Sequence, residues 1–190
     1  DKNAASVKEV NPKGEIVWSW SAKRHFNKPP YKDISFEGWT HANAVSRLSN
    51  GNTLINLRNF DLTIEVDPQG TVVWFFDCGF LGKYPHEPEI LSNGNMVIAI
   101  HCPPPGCWDQ VVEIERKTKE IVWRFTTPGM KVTRDADRLL NGNTLIVERI
   151  KIFEVTPEGE IVWRLRLRGV SGGKHDFEKF FYKAQRIAPH

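Results

Sequence analysis

Polar and ionisable side chains gather in three short segments of the chain: residues 39–43 (WTHAN), 85–88 (PHEP) and 133–137 (TRDAD). Imidazoles such as those of His41 and His86 can take up or release a proton near neutral pH, and amide or guanidinium groups donate hydrogen bonds to anions. Brought around one axis, the three segments would form a polar site able to bind an anion and move a proton. The alternative is a solvated channel lined by ordinary polar residues.

Each polar segment is followed by two apolar runs joined by Asn-Gly, at residues 48–55, 91–98 and 139–146. Asn-Gly between apolar runs favours a tight β-hairpin, because the type I′ turn needs a positive φ at both central residues. The sequence therefore predicts three equivalent hairpins, with the polar segments leading into them.

A second repeated pattern is a strand, a Pro-x-Gly turn and a strand ending in tryptophan. Its four copies end at Trp18, Trp74, Trp123 and Trp163, and the third copy makes its turn with residues 117–119 instead of Pro and Gly. Regular tryptophans of this kind indicate packing between neighbouring repeats.

Together the two patterns give four short antiparallel strands in roughly 40–50 residues, which is the period of a β-propeller blade. We predict an all-β protein, a β-propeller of four-stranded antiparallel blades. The expected division is a partial blade and loop at 1–38, complete blades at 39–84, 85–132 and 133–168, and a loop with a closing strand at 169–190.

The two ends of the chain supply parts of a further blade. Residues 5–18 match only the last two strands of a repeat, and residues 184–187 (AQRI) align with 136–139 (ADRL), the first strand of one. This pattern fits a four-bladed ring in which both termini build one blade, and it fits equally a fragment of a larger propeller. Open sheet edges of a fragment favour pairing with another chain, so a homo-oligomer is a further expectation.

Composition and charge exclude some classes of function. The chain has 190 residues, 40% of them hydrophobic and 26% charged, and its net charge of +3 is spread along the sequence. We therefore expect no nucleic-acid partner. No apolar stretch is long enough to span a bilayer, so no membrane partner is expected either.

The three cysteines do not make a disulfide framework. Cys102 and Cys107 flank a Pro-rich loop and would form a disulfide in an oxidising compartment, or remain free thiols in a reducing one. A zinc site that adds His101 to them lacks a fourth ligand and suitable spacing.

Four stretches resemble the bacterial and archaeal arylsulfotransferases that do not use a nucleotide sulfuryl donor: 38–45 (GWTHANAV), 57–59 (LRN), 64–74 (IEVDPQGTVVW) and 85–95 (PHEPEILSNGN). The repeat pattern alone is shared with quinoprotein-like propellers. The more specific part of the resemblance is the His-x-Asn motif, the downstream arginine and the histidine that opens the next repeat.

The resemblance implies transfer of a sulfuryl group from a phenolic sulfate ester to a phenol through a sulfohistidine. In this chain His86 matches the nucleophile, while His41, Asn43 and Arg58 match the groups that hold the substrate. The scheme needs no metal and no cofactor, its partners are small phenols and their sulfates, and the family's location would make the protein periplasmic or extracellular. Covalent capture by a neutral imidazole divides one difficult transfer into two easier steps.

A second class of function stays open: a non-catalytic propeller that binds a ligand or a protein through its channel face or its sheet edge. A quinone-dependent dehydrogenase is less favoured, because the chain has no clear set of metal ligands and is short for that larger ring.

Overall fold

The computed structural model describes residues 5–35, 38–102, 107–170 and 180–187. These residues form fourteen β-strands and three single 3₁₀ turns, at Ala22–Arg24, Tyr31–Asp33 and Arg58–Phe60. No helix in these ranges is long and apolar enough to cross a bilayer.

The strands form one two-stranded and three four-stranded antiparallel sheets, each running in chain order. The two-stranded sheet pairs β1 (Ser6–Val10) with β2 (Ile16–Ser21). The first four-stranded sheet contains β3 (Ala42–Arg47), β4 (Thr53–Leu57), β5 (Leu62–Val66) and β6 (Val72–Asp77). The second contains β7 (Lys83–Ile90), β8 (Met96–His101), β9 (Gln110–Ile114) and β10 (Ile121–Phe125). The third contains β11 (Asp135–Arg138), β12 (Thr144–Val147), β13 (Lys151–Val155) and β14 (Ile161–Arg166).

The predicted repeat is confirmed strand by strand. Gly51, Gly94 and Gly142 lie in the first turn of the three four-stranded sheets with φ of 85°, 86° and 88°, a left-handed conformation that the preceding asparagines do not share, so these turns are not of type I′. Trp74 and Trp123 lie on the fourth strands of their sheets.

The chain divides into two compact units, residues 1–85 and 86–190. Each unit has its own apolar core: Ile55, Ile64 and Val66 are buried in the first, and Val97 and Ile146 in the second. The middle strands of the sheets supply these cores, and β4, β5 and β9 are buried at every position. Continuous Val/Ile/Leu runs suit strands that are covered on both faces.

A buried glutamate on the third strand of each four-stranded sheet ties that strand to the first hairpin. The two asparagines that flank the hairpin glycine both donate to one oxygen, Oε1, of this glutamate. The trios are Asn50, Asn52 and Glu65; Asn93, Asn95 and Glu113; and Asn141, Asn143 and Glu154, with N–O distances between 2.5 and 3.3 Å. The glutamates are only 4–8% exposed, so the amides satisfy carboxylates that would otherwise be costly to bury.

A second repeated contact joins a sheet to a later chain segment of the same unit. An arginine from the later segment pairs with a glutamate of the sheet and lies over the tryptophan on the next strand of that sheet. The sets are Arg47 with Glu9 and Trp18, Arg138 with Glu113 and Trp123, and Arg186 with Glu154 and Trp163. In β7 the same sequence position is Ile90.

The tryptophans are less uniform than the sequence predicts. Trp18 and Trp123 are partly buried and pack against the cores of their units. Trp163 is 39% exposed, and the Arg186 guanidinium covers one face of its ring at 5.3 Å. A buried core role is therefore wrong for Trp163, which shares the arginine contact of Trp18 and Trp123 but stays 39% exposed.

Residues 180–187 carry no strand assignment. They lie against the third sheet, where the Phe181 amide donates to Arg149 O at 3.0 Å, and Phe181 and Ala184 pack on an apolar cluster around Leu145. Arg186 nevertheless repeats the contacts that Arg138 makes from a first strand, which supports the alignment of 184–187 with 136–139. Whether this segment closes a blade with the N-terminal strands stays a prediction.

Replacing Glu154 with alanine should lower the free energy of unfolding by roughly 1–3 kcal/mol, because two amides lose their shared acceptor. Hydrogen bonds from Asn143 and Asn141 hold the pKa of Glu154 below its usual value. The contribution of Glu154 to the free energy of unfolding is therefore present above the usual pKa and is lost as the pH falls through the folded-state pKa. The difference in stability between the wild type and Glu154→Ala should therefore decrease in acid. Urea unfolding over a pH series measures this. Glu158→Ala, in an exposed turn of the same sheet, is the control and should change stability by less than about 0.5 kcal/mol.

Candidate functional site

The predicted site residues occupy repeated positions of the sheets. Asn43, His86 and Arg134 lie at equal distances before the leucine that opens each hairpin. The residues two places earlier, His41, Tyr84 and Val132, all have positive φ, at 44°, 54° and 56°. His86 is therefore the counterpart of Asn43 and not of His41, whose place in the second sheet is taken by Tyr84.

In the first unit, the pairing of Ala42 with Leu57 places Asn43 and Arg58 beside the same end of the β3–β4 ladder. The register shifts at Asn43, which forms a bulge there. Its amide donates to Pro85 O at 3.1 Å, and its Oδ1 accepts from the buried Asn56 at 2.6 Å. These bonds hold Asn43 in a fixed orientation.

Arg58 is anchored by its own neighbours. Its Nη1 donates to Asn59 Oδ1 at 3.0 Å, and its guanidinium lies 4.2 Å from the centroid of the Tyr84 ring. Tyr84 is held in turn by Asp61, whose Oδ1 accepts its backbone amide at 2.9 Å while Oδ2 pairs with Lys83 at 2.8 Å. The predicted residues His41, Asn43 and Arg58 thus all belong to the first unit, and His86 belongs to the second.

In the second unit, His86 is only 3% exposed and lies beside a second histidine, His101, with ring centroids 5.0 Å apart. His101 ends β8, and its Nδ1 is 3.2 Å from Oδ2 of the buried Asp109. A carboxylate beside Nδ1 fixes the orientation of an imidazole.

Asp109 is held firmly. Its Oδ1 accepts the backbone amide of Cys102 at 2.9 Å, and its Oδ2 accepts that of Thr133 at 2.7 Å. Both oxygens of the carboxylate thus have fixed donors, which hold Asp109 in place beside His101. The geometry therefore suits His101 as a positioned acid or base next to His86.

The role of His101 could have been found from the repeat. Arg58, His101 and Arg149 each follow the glycine of their hairpin at the same distance, so His101 occupies the position of the predicted anion-binding Arg58. Asp109 gives no such signal, because the segment before β9 is longer than its counterparts.

Of the two alternatives for the cysteines, the structure contains the disulfide Cys102–Cys107, which closes the chain between His101 and Asp109. The predicted loop at 103–106 lies outside the described residues. Both cysteines are thus excluded as thiolate ligands. In the described ranges, no group of three or more His, Cys, Asp or Glu side chains is arranged to hold a metal ion.

Thiol counting should distinguish three states of the protein. Cys78 is buried, and burial together with Asp61 and Asp77 raises the pKa of its thiol, so the native protein should give no fast-reacting thiol. Unfolding without reductant should expose one thiol, and reduction should then expose all three. Three thiols before reduction would show that the disulfide is absent, and Cys78→Ser should remove the single signal.

A cluster of three carboxylates and one lysine lies around the start of β11 and consists of Glu87, Asp135, Asp137 and Lys183. Asp135 is 1% exposed, and Lys183 Nζ is 3.9 Å from its Oδ1 and 3.1 Å from Glu87 Oε2. Burial, and then the charge of Asp137, raise the pKa of Asp135 to about 7, against the opposing effect of Lys183. Part of this carboxyl population is therefore protonated at neutral pH.

Asp135→Asn should stabilise the protein at pH 7 and above but not near pH 4. The native state holds the Asp135 proton more tightly than the unfolded chain, so this group lowers stability as pH rises from about 4 to 7. Asp135→Asn lacks this titrating group, so above pH 7 its free energy of unfolding in denaturant should exceed that of the wild type by roughly 1–4 kcal/mol. An advantage that is equal at all pH values would contradict the assignment. Asp33→Asn, at an exposed carboxylate, is the control.

Two arginines of the second unit face aromatic rings of the C-terminal segment. The Arg134 guanidinium lies 5.2 Å from the Tyr182 ring centroid, and that of Arg149 lies 4.1 Å from the Phe180 ring centroid. Burial lowers the pKa of Arg134, the nearby Arg149 lowers it further, and Tyr182 opposes both. Two neighbouring guanidinium groups in a desolvated setting favour an anion between them.

Comparison with known proteins gives the fold. No family model matches the chain, and no curated protein does. Among solved structures, a protein of unknown function from Bacteroides caccae is 20% identical with a TM-score of 0.61, covering 87% of this chain and 55% of that one. Virginiamycin B lyase from Staphylococcus aureus is 15% identical with a TM-score of 0.59, covering 87% and 50%. The WD40 β-propeller domain of Doa1 is 12% identical with a TM-score of 0.58, covering 86% and 48%.

These likenesses show an all-β propeller fold, as the repeats predict. Sequence identities this low support a shared fold and nothing more. The chain spans about half the length of these solved proteins. The propeller part of the resemblance found in the sequence is confirmed, and its arylsulfotransferase part stays a prediction. The convergence of His41, Asn43 and Arg58 with His86 on one site also stays a prediction.

Proposed function

We propose that the protein is an arylsulfotransferase-like propeller in which His86 carries a sulfuryl group between phenolic oxygens. The observation that supports this best is the buried pair of His86 and His101, with Asp109 holding His101 through Nδ1. A nucleophile, a neighbouring proton carrier and a group that orients the carrier are the parts that covalent transfer requires.

In the proposed first step, an imidazole nitrogen of His86 attacks the sulfur of an aryl sulfate ester. An N–S bond forms, the bond between sulfur and the phenolic oxygen breaks, and His101 gives a proton to the leaving phenolate. In the second step His101 takes the proton of an acceptor phenol, whose oxygen attacks the same sulfur and frees His86. The sulfuryl group and the proton are both conserved over the two steps.

The resemblance assigns His41, Asn43 and Arg58 to the sulfuryl and phenolic oxygens. A planar guanidinium offers two parallel donors to a sulfonate group, and an amide adds a third. Donors that are already held in place stabilise developing charge without reorganising during the reaction. The firm anchoring of Asn43 and Arg58 is consistent with this role.

The second candidate is a non-catalytic binding propeller. It is favoured by large apolar side chains that are half exposed on the last strands of the sheets, among them Val73, Phe75, Val162 and Leu165. Exposed apolar side chains of this kind suit contact with another protein. This candidate makes no use of His86.

His86→Ala should abolish sulfuryl transfer from a phenyl sulfate to a phenol, because no neighbouring group can replace the nucleophile. Arg58→Ala should slow it by about 10²–10³-fold, the usual effect of losing one oxyanion donor, while leaving the covalent step intact. Mass spectrometry after incubation with the donor alone should find an acid-labile sulfuryl adduct on His86. His25→Ala, at an exposed histidine on another part of the chain, is the control and should keep full activity.

Two outcomes would count against the enzyme. A protein that stays unmodified during prolonged incubation, with the donor unchanged, favours the binding propeller. An adduct that persists in His86→Ala would move the nucleophile to another residue and refute the assignment. His101→Gln tests the proton carrier: the adduct should form more slowly with donors whose phenols are poor leaving groups and nearly normally with good ones.

A further inference from the structure

The segment at residues 180–187 continues the repeat that positions the candidate site residues. Aligned with the first strands of the sheets, it places Phe180 where β7 has Tyr84. In the same alignment Tyr182 takes the place of His86, five residues before the position of the leucine that opens each hairpin. The segment therefore brings a further pair of first-strand side chains to the third sheet.

An arginine–aromatic contact of the first unit is repeated by this segment. The Arg58 guanidinium, after β4, lies 4.2 Å from the ring centroid of Tyr84. Arg149 occupies the place of Arg58 in the third sheet, and its guanidinium lies 4.1 Å from the ring centroid of Phe180. In both units, the arginine after the second strand is thus held by an aromatic ring from the same position of the following segment.

The third sheet differs from the first at the position before these contacts. Where the first sheet has the uncharged amide of Asn43, the third has Arg134. The Arg134 backbone amide donates to Val147 O at 2.9 Å, two residues before Arg149. Its guanidinium lies 5.2 Å from the ring centroid of Tyr182, and a side-chain hydrogen bond joins these two residues. The third sheet therefore has two neighbouring guanidinium groups at this place.

The charge of Arg134 has no partner of opposite sign in the part of the chain that the structure describes. Arg134 is partly buried and makes no ion pair with any of those residues. Burial lowers the pKa of Arg134, and the charge of Arg149 lowers it as well, against the opposing effect of Tyr182. Like charges in a partly buried setting are screened less by salt than exposed charges, so an anion between them would relieve their repulsion.

We propose that Arg134, Arg149 and Tyr182 form a binding site for a tetrahedral oxyanion with two negative charges: sulfate, phosphate or the phosphate group of a monoester. Guanidinium groups offer forked donors, and the Tyr182 hydroxyl, which accepts from Arg134, has a proton to donate. Two positive charges favour a divalent anion over acetate or chloride. Because Tyr182 holds the position of His86, the site lacks the imidazole nucleophile. The proposal does not rest on sulfuryl transfer.

The direct test follows the arginine Nε–H signals of ¹⁵N-labelled protein during titration with sodium sulfate or sodium phosphate at constant ionic strength. Arg134→Gln and Arg149→Gln assign the two signals by their absence. Both signals should shift in a saturable way with one dissociation constant. In calorimetry, Arg134→Gln should weaken binding by about 10- to 100-fold, as expected for lost hydrogen bonds to a charged group.

Two further variants separate the fork of the guanidinium from its charge. Arg134→Lys keeps the charge and removes the fork, so it should bind more tightly than Arg134→Gln and more weakly than the wild type. Arg164→Gln removes an exposed charge from β14 of the same sheet and should bind as the wild type does. Circular dichroism shows that each variant used is folded.

Phenyl phosphate distinguishes the two sources of the anion. Tighter binding than that of inorganic phosphate identifies the terminal group of an aromatic ester, and equal or weaker binding identifies the free ion. The proposal is overturned if neither sulfate nor phosphate saturates the two signals, or if the wild type and Arg134→Gln bind equally. An equal affinity for sodium acetate, or an equal loss of binding in Arg164→Gln, also overturns it, because general attraction to surface charge then explains the result.

Discussion

A buried carboxylate shared by two amides is the interaction on which each four-stranded sheet depends. Glu65, Glu113 and Glu154 lie on third strands, and the asparagines that bond to them flank the turn between the first two strands. One carboxylate thereby links the turn between the first two strands to the third strand. Because a buried carboxylate without donors would be costly, the hairpin turn and the third strand must form together. The Asn-Gly-Asn pattern is thus both a turn signal and half of a tertiary contact.

The same carboxylate also determines how the next chain segment docks. In the second unit, Glu113 accepts from Arg138 through the oxygen that the asparagines leave available. The guanidinium of that arginine also lies 5.1 Å from the centroid of the Trp123 ring, so one side chain serves an ion pair and an aromatic face at once.

Local patterns predicted most of the fold because each sheet is specified locally. Asn-Gly fixes the hairpin, alternation of turns and apolar runs fixes the strands, and Trp74 and Trp123 mark the fourth strands. The exposure of Trp163 could not be predicted in this way, since it depends on the chain segment that comes after the last sheet rather than on the sheet itself.

The candidate site was only partly predictable for a related reason. His86 occupies a repeated position, so the sequence pattern predicts it as a site residue. Asp109 contacts His101 after a segment closed by a disulfide, and no repeated pattern predicts that contact. The link between them is a tertiary contact between a carboxylate and an imidazole. Spacing in the sequence gives no measure of such a distance.

The arginine contacts have a direction along the chain. In each set, the glutamate and tryptophan precede the arginine that joins them: Glu9 and Trp18 come before Arg47, and Glu113 and Trp123 before Arg138. During synthesis on the ribosome, a sheet therefore presents its acceptor and its aromatic face before the covering residue has emerged. In these three sets, the later segment then covers the sheet that was made before it, so that each of these sheets has an exposed face only until its arginine has been synthesised.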